Sequence, residues 1–396
     1  MNFELTPAQA AWQANVREFL AEHMSDELRA EVQSYGRNGV GPLAEKFYHA
    51  VAGNGWTALT WPKEYGGLGG SATDQLIMSR EFDYAGAPRI MYMWTGIAAI
   101  LIRYGTQANR DTWLPRIKDG SVSMALVYSE PEAGTDLASL KTTAVLDGDE
   151  WVINGEKIWN SEAHIATHEW LAVRTDKSAA KHRGISLIIV PTDAPGIEIF
   201  PIAVWPQRTN RTVFTNVRVP KENLVGSPNE GWTYLGGALD FERATIGGYV
   251  GSLQRLLDGL VAYARDNVVD GRRLADIPHV RTALAELALD IELAWLMGLE
   301  VATAIDAGGA FTTPATAQKV FTSELRTRVA DVGMELLGMT GQLSMHQEGA
   351  PLKGFLEWSY RWAPVQRFGG GTNEVMRDII AQRGLGLPRL SRGALK

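Results

Sequence analysis

The repeat of apolar positions changes twice along the chain. From about residue 5 to 120 apolar residues recur every three or four positions, so that Trp12, Val16, Phe19 and Leu20 fall on one side of a helix, with a glycine-rich break from Gly66 to Gly70. Between about 121 and 230 this spacing gives way to short runs rich in β-branched and aromatic residues: Ser123–Tyr128, Thr142–Leu146, Trp151–Ile153, Trp170–Arg174, Ile185–Val190 and Val213–Val219. Gly148 and Asn154-Gly155 read as turns between them. No helix long enough for a parallel crossover separates the runs, which predicts an antiparallel sheet or barrel. From Gly231 onward helical spacing returns, and Leu253–Ala264 and Val280–Ala304 predict antiparallel bundle helices. The expectation is an α+β multidomain chain: a helical domain over 1–120, an antiparallel β domain over 121–230 and a helical bundle over 231–396.

Composition narrows the class. With 396 residues, 45% of them apolar, the chain can bury two or three cores. A formal charge of -7, with Arg and Lys scattered, argues against nucleic acid or an anionic membrane as partner. Cysteine is absent, which removes disulfides, thiol nucleophiles and thiolate metal sites. Met1-Asn2-Phe3-Glu4 carries no basic stretch ahead of an apolar one, so no signal peptide is expected and a cytoplasmic location is the default. The apolar run Ile90–Ile102 is too short to cross a bilayer and reads as a buried core helix. His164 and His168 are four apart, but they sit in a sheet connection with no third ligand at a fixed spacing, so no metal is expected.

Two segments carry candidate chemistry. Ser129-Glu130-Pro131-Glu132-Ala133-Gly134-Thr135-Asp136 is a polar loop whose backbone N–H groups around Gly134 can approach a phosphate, and Lys157-Ile158-Trp159-Asn160-Ser161 follows about a hairpin later. Ser129 and Ser161 offer hydroxyls to the polar edge of a flat heterocycle, and Trp159 can cover its face. Taken singly, Trp159 is an ordinary core aromatic and the two serines cap turns. No Gly-x-Ser-x-Gly elbow or Walker loop is present.

These segments occur in order between Thr6-Pro7-Ala8-Gln9 and Gly384-Leu385-Gly386-Leu387-Pro388-Arg389, and the set resembles the acyl-CoA dehydrogenase family over nearly the whole chain. The resemblance implies an N-terminal α domain, a middle β domain and a C-terminal four-helix bundle, with FAD as cofactor. It carries Leu126, Tyr128 and Ser129 to the pyrimidine side of the flavin, Thr135 to the pyrophosphate, and Trp159 and Ser161 to the ring near N5. Thr372 and Glu374 go to the ribityl and adenosine portion.

Desaturating a thioester requires a base for the α-proton and an acceptor for the β-hydride. Many members of that family carry the base in a Tyr-Glu-Gly-Thr sequence near the C-terminus. Here the matching stretch is Phe368-Gly369-Gly370-Gly371-Thr372-Asn373-Glu374, with Gly370 in the place of that Glu. Other members place it in a Leu-Asp-x-Glu-Arg sequence on the first bundle helix, matched here by Leu239-Asp240-Phe241-Glu242-Arg243, so the resemblance assigns Glu242. Spacing agrees independently: Leu239, Glu242, Ile246, Val250, Leu253 and Leu257 form one stripe, where burial disfavours a charged carboxylate. Spacing alone allows equally a pairing of Glu242 with Arg243 or a partner helix. By resemblance Arg243 lies close to the CoA pantetheine, the alternative being a surface pair with Asp240. Gly370 would offer its N–H to the thioester carbonyl, the alternative being a plain turn.

The stretches by which family homotetramers complete a neighbour's FAD site depart from pattern. This chain has Asn267-Val268-Val269-Asp270-Gly271 where an Arg-x-x-Phe-Gly is usual, Pro278 in place of a Gln, and Leu337-Gly338-Met339-Thr340-Gly341 in place of a Phe-Gly-Gly-x-Gly. The missing guanidinium resembles the bacterial α2β2 enzymes of steroid side chains, in which a paralogous subunit supplies the other half. Alternatively Arg272, Arg273 or Arg281 substitutes in a homotetramer. The resemblance implies an acyl-CoA substrate, with bulky, branched or cyclic acyl groups suited to the space at Gly370, and an electron-transferring flavoprotein as electron acceptor. Two other readings share these residues: a flavin oxidase or monooxygenase, and a non-catalytic subunit of a hetero-oligomer.

Overall fold

The changes of apolar repeat coincide with changes of secondary structure. The computed structural model describes residues 4–35, 41–88, 93–204, 207–237 and 249–388. Among the described residues six α-helices come first: α1 (Pro7–His23), α2 (Asp26–Tyr35), α3 (Pro42–Gly53), α4 (Ala72–Ala85), α5 (Ala98–Tyr104) and α6 (Gln107–Lys118). Seven strands follow: β1 (Met124–Val127), β2 (Thr143–Asp147), β3 (Glu150–Ile158), β4 (His168–Arg174), β5 (Ile185–Pro191), β6 (Ile197–Val204) and β7 (Gln207–Pro220). The C-terminal part holds α7 (Val250–Asp266), a hairpin of β8 (Val268–Val269) and β9 (Arg272–Arg273), then α8 (Pro278–Asp306), α9 (Thr312–Leu337), α10 (Phe355–Phe368) and α11 (Asn373–Ile379). This is the expected sequence of helical, β and helical domains. No helix among the described residues is long and apolar enough to cross a membrane.

In space the chain forms two compact units. One combines Met1–Met24, Ser71–Ala87 and Arg243–Lys396, so α1 and α4 leave their sequence neighbours and join the C-terminal helices. Burial explains the recruitment: Leu76 and Ile77 of α4 share one core with Val250, Leu253, Leu257 and Leu260 of α7. Close packing is possible because Gly251 has no side chain; a Cβ there would lie 2.1 Å from Arg80 O. Asp83 Oδ2 accepts from Ser252 N at 2.6 Å, and Asp306 at the end of α8 accepts from Ala72 N and Thr73 N at the start of α4.

The other unit combines Ser25–Gly70 and Pro88–Glu242. Its seven-stranded sheet has the order β1-β4-β2-β3-β7-β6, with β5 paired to β4. Most pairs are antiparallel, as expected, but β4 has two parallel neighbours: β1, with Leu126 opposite Trp170, and β2, with Thr143 opposite Arg174. The chain makes the parallel return from β1 to β4 through the β2–β3 hairpin in place of a helix, so the absence of crossover helices did not exclude a parallel pair. Strand β6, exposed at alternate positions, was not foreseen, and β3 is longer than the run from Trp151 to Ile153. Gly148 does turn the β2–β3 hairpin, with φ +64°. Asn154-Gly155, read as a turn, instead lies inside β3 beside a bulge. The register passes from Ile153 opposite Val217 to Gly155 opposite Phe214, and Asn154 Oδ1 accepts from Asn216 N at 2.8 Å to pin the extra residue. The run around Ile90–Ile102 contributes Ile97, Ile100 and Leu101 to the interior, the last two on α5.

Candidate functional site

Two strand ends meet at one rim of the sheet. Alternation along β1 sends Ala125 and Val127 into the core and leaves Leu126 half-buried on the opposite side. Tyr128 and Ser129 continue from it, also half-buried. Ile158 N at the end of β3 donates to Ser129 O at 3.0 Å, so Ser129 and the Trp159-Asn160-Ser161 segment are held side by side. Glu130 and Ala133 exchange backbone hydrogen bonds of 3.1 and 3.0 Å across a tight turn, after which Gly134 and Thr135 are exposed. Nothing lies within 4 Å of a Cβ built at Gly134, which leaves its backbone open to a ligand.

Trp159 is the unusual residue of this rim. Its φ is +66°, a left-handed conformation that costs a side-chain-bearing residue roughly 1–2 kcal/mol, and the residue is 57% exposed. A core aromatic would be neither strained nor exposed. The strain is imposed from both sides: Asn160 N donates to Asn210 O at 3.0 Å, and Ser161 N donates to Trp159 O at 2.9 Å. Ser161 is exposed, with its Oγ 3.4 Å from Thr209 Oγ1. An exposed aromatic face flanked by hydroxyls fits a planar ring system with a polar edge.

Beneath this rim lies a buried polar network to which the sequence reading gave no role. Lys157 Nζ donates to Tyr128 O at 2.8 Å and to Glu130 Oε1 at 2.9 Å. Glu130 also accepts from Lys141 N at 2.6 Å and Thr142 N at 2.8 Å, which holds the polar loop against the sheet. Burial pushes the Lys157 ammonium down to about 8, against the opposing pull of Glu130. Burial would raise Glu130, but Lys157 and the Thr142 and Lys141 donors outweigh it and hold its carboxyl below the ordinary range. Next to this pair, Glu169 accepts from Thr212 Oγ1 at 2.9 Å, Thr212 Oγ1 accepts from Asn160 Nδ2 at 3.0 Å, and Asn210 Nδ2 donates to Asn160 O at 2.8 Å. Burial pushes the Glu169 carboxyl up to about 7, and its Oε2 has no partner among the described residues. Asn160 therefore faces into the sheet and fixes the turn that presents Trp159. One sequence signal could have found this network: Lys157 stands in register with the buried Trp151 and Ile153, and a lysine at an inward position demands a partner.

His164 Nδ1 lies 3.0 Å from Asn210 Nδ2, while His168 opens β4 with its ring edge-on to Trp113.

Gly370, Thr372 and Glu374 belong to the helical unit. Thr372 caps α11, accepting from Val375 N at 3.2 Å, and Glu374 is exposed in its first turn, where the helix N-terminus favours a carboxylate. Gly370 and Gly371 take φ of +66° and +104°, conformations that favour glycine. Glu242 and Arg243 lie outside the described residues, as do Leu239 and Ile246; of that stripe Val250, Leu253 and Leu257 are buried. The Asp270-Gly271 stretch is the tip of the β8–β9 hairpin, with φ of +50° and +76°, and Val268, Val269, Arg272 and Arg273 on it are exposed. Pro278 opens α8, and Met339, just past the Gly338 cap of α9, is 80% exposed.

The sequence models of the acyl-CoA dehydrogenase N-terminal, middle and C-terminal domains match residues 6–121, 125–217 and 229–385. The chain is 39% identical to acyl-CoA dehydrogenase FadE26 of Mycobacterium tuberculosis, over 99% of this chain and 100% of that protein. Among solved structures it is similar to a chain of the Tcur3481-Tcur3483 steroid ACAD, with a TM-score of 0.92 and 36% identity over 98% of this chain and 100% of the other. It is also similar to a chain of the ChsE4-ChsE5 complex from Mycobacterium tuberculosis, with a TM-score of 0.91 and 39% identity over 98% and 100% of the two chains.

Proposed function

This chain belongs to the acyl-CoA dehydrogenase family, whose members are FAD-dependent flavoproteins, and from that premise we propose that it desaturates an acyl-CoA thioester between Cα and Cβ with Glu242 as base. Glu242 takes the Cα proton, the Cβ hydrogen leaves with its electron pair, and the electrons of the broken Cα–H bond form the double bond of a trans-2-enoyl-CoA. Bound FAD supplies the acceptor for that hydride. Leu126, Tyr128, Ser129, Trp159 and Ser161 hold the flavin ring, Thr135 meets the pyrophosphate, and Thr372 and Glu374 serve the ribityl and adenosine end. Gly370 offers its N–H to the thioester oxygen, and Arg243 lies near the pantetheine. The observation that carries the reading is Trp159, strained, exposed and set beside Ser129 and Ser161.

We place the substrate among bulky or steroidal acyl-CoA thioesters and the assembly as an α2β2 tetramer with a paralogous chain. The likeness to the Tcur3481-Tcur3483 steroid ACAD and to the ChsE4-ChsE5 complex supports both, as does the loss of the neighbour-site arginine at the β8–β9 hairpin. The exposure of Arg272 and Arg273 on the same hairpin favours the homotetramer as the second reading. Electrons pass from the reduced enzyme to an electron-transferring flavoprotein.

Anaerobic mixing of the FAD-loaded protein with short, long, branched and steroidal CoA thioesters tests the reaction. Flavin absorbance should bleach fastest with the bulky thioesters, and Glu242→Gln should slow bleaching by a factor on the order of 10² or more. Bleaching by Glu242→Gln at the wild-type rate removes Glu242 as base. Rapid reaction of the reduced protein with oxygen would favour an oxidase or monooxygenase, and full FAD occupancy in the chain expressed alone ends the partner requirement.

A further inference from the structure

The glycine loop at residues 369–371 is fastened from below by a buried ammonium. Lys319 on α9 is 1% exposed, and its Nζ donates to Arg367 O at 3.2 Å, to Gly371 O at 2.7 Å and to Asn373 Oδ1 at 2.8 Å. An ammonium has three donors, and these acceptors lie on both sides of Gly369-Gly370 in sequence. The far side of the latch is doubled, because Asn373 Nδ2 also donates to Ser323 Oγ at 3.0 Å and to Glu324 Oε1 at 3.2 Å. Gly369 N donates to Val365 O at 2.8 Å, closing the near side. Two turns further along the same face of α9, Arg326 is 2% exposed and donates from Nη2 to Tyr249 O at 2.9 Å and to Ser252 Oγ at 3.3 Å. Tyr249 is the first described residue after the segment that carries Glu242. One polar face of α9 thus holds the loop of Gly370 and, about 10 Å along the helix, the start of α7. Tyr249, Lys319, Thr322, Ser323, Arg326 and Gln366 line a small polar cavity between these anchors.

We infer that Lys319 is a positioning residue: by holding the carbonyls of Arg367 and Gly371, on either side of Gly369-Gly370, it fixes where the Gly370 N–H points. The inference rests on the reading of Gly370 as the donor to the thioester oxygen. Two left-handed glycines in succession have many conformations open to them, and a neutral side chain cannot hold three acceptors at once. A misplacement of about 1 Å in such a donor costs on the order of 10² in rate, whereas substrate binding is spread over the CoA.

The test uses the FAD-loaded holoenzyme, with its partner chain if one is required. Lys319→Met, and the milder Asn373→Ala should Lys319→Met fail to fold, are compared with wild type and with Leu260→Ala, a core change away from the loop. Backbone hydrogen exchange is followed at residues 369–373, and kcat and KM are measured with the best thioester. Lys319→Met should speed exchange at these amides about tenfold or more and lower kcat by about 10², with KM within about threefold. Lys319→Arg should recover part of both, and Leu260→Ala should lower thermal stability without the local exchange change or the kcat loss. Unchanged exchange at 369–373 overturns the anchor itself. Faster exchange with an intact kcat overturns the positioning role and traces the failure to the reading of Gly370.

Discussion

Lys157 Nζ lies 2.9 Å from Glu130 Oε1, and both side chains are buried beneath the loop and turn that form the rim of the sheet. The pair ties the segment after β1 to the end of β3, the two pieces of chain on which Ser129 and Trp159 stand. Removing the cation strands a buried carboxylate. Lys157→Met should therefore lower unfolding free energy by about 3–5 kcal/mol, with Glu130→Gln in the same chain recovering part of the loss. Denaturant unfolding of the three proteins measures this, and a loss of less than about 1 kcal/mol for Lys157→Met would count against a structural pair.

Trp159 separates stability from binding. Glycine at this position relieves the left-handed strain while deleting the exposed ring. Trp159→Gly should match or exceed wild type in thermal stability without flavin, yet retain much less FAD after gel filtration. Normal FAD retention would remove the indole from the flavin site.

Acid stability reports two buried groups of the β domain with opposite signs, Glu169 of the network and His168 at the start of β4. Glu169 is pushed up to about 7 from 4.5, so the folded chain holds its proton more tightly than the unfolded chain, and this contribution favours folding as pH falls from about 7 to 4.5. His168 is pushed down to about 4 from 6.5 by burial and by Arg116, so its contribution is lost as pH falls from 6.5 to about 4. The two oppose each other across most of that range. Glu169→Gln removes the opposing group and leaves the histidine and the lowered Glu130 carboxyl, which act in the same direction, so its melting temperature should fall more steeply than wild type between pH 7 and 4.5. Parallel curves would mean that Glu169 titrates near its ordinary value.

In the helical unit, Asp306 accepts from Ala72 N at 2.6 Å, Thr73 N at 3.2 Å and Thr73 Oγ1 at 2.7 Å. Asp306→Ala should cost about 1–2 kcal/mol, because the first-turn donors of α4 lose their acceptor. Asp306→Asn, which keeps an oxygen, should cost less. The comparison is read from denaturation midpoints at constant slope.

Local periodicity was enough for the helical, β and helical domains, since each domain's apolar spacing follows from the geometry of its own backbone. It was less reliable where pairing is not local. The parallel β1–β4 pair depends on a hairpin returning between them, and Asn154-Gly155 looks like a turn until β7 supplies the extra residue that makes a bulge. The exposed strand β6 gave little apolar signal to read.

The sequence by itself determined the family and the domain order, because ordered motifs and short-range spacing are properties of the chain. Tertiary structure alone decided that Trp159 is strained and exposed, that Lys157, Glu130 and Glu169 lie beneath it, that α4 joins the C-terminal core and that Lys319 grips the glycine loop. Each of those depends on which distant residue arrives to accept a proton or cover a face, and burial makes such a partner obligatory without naming it.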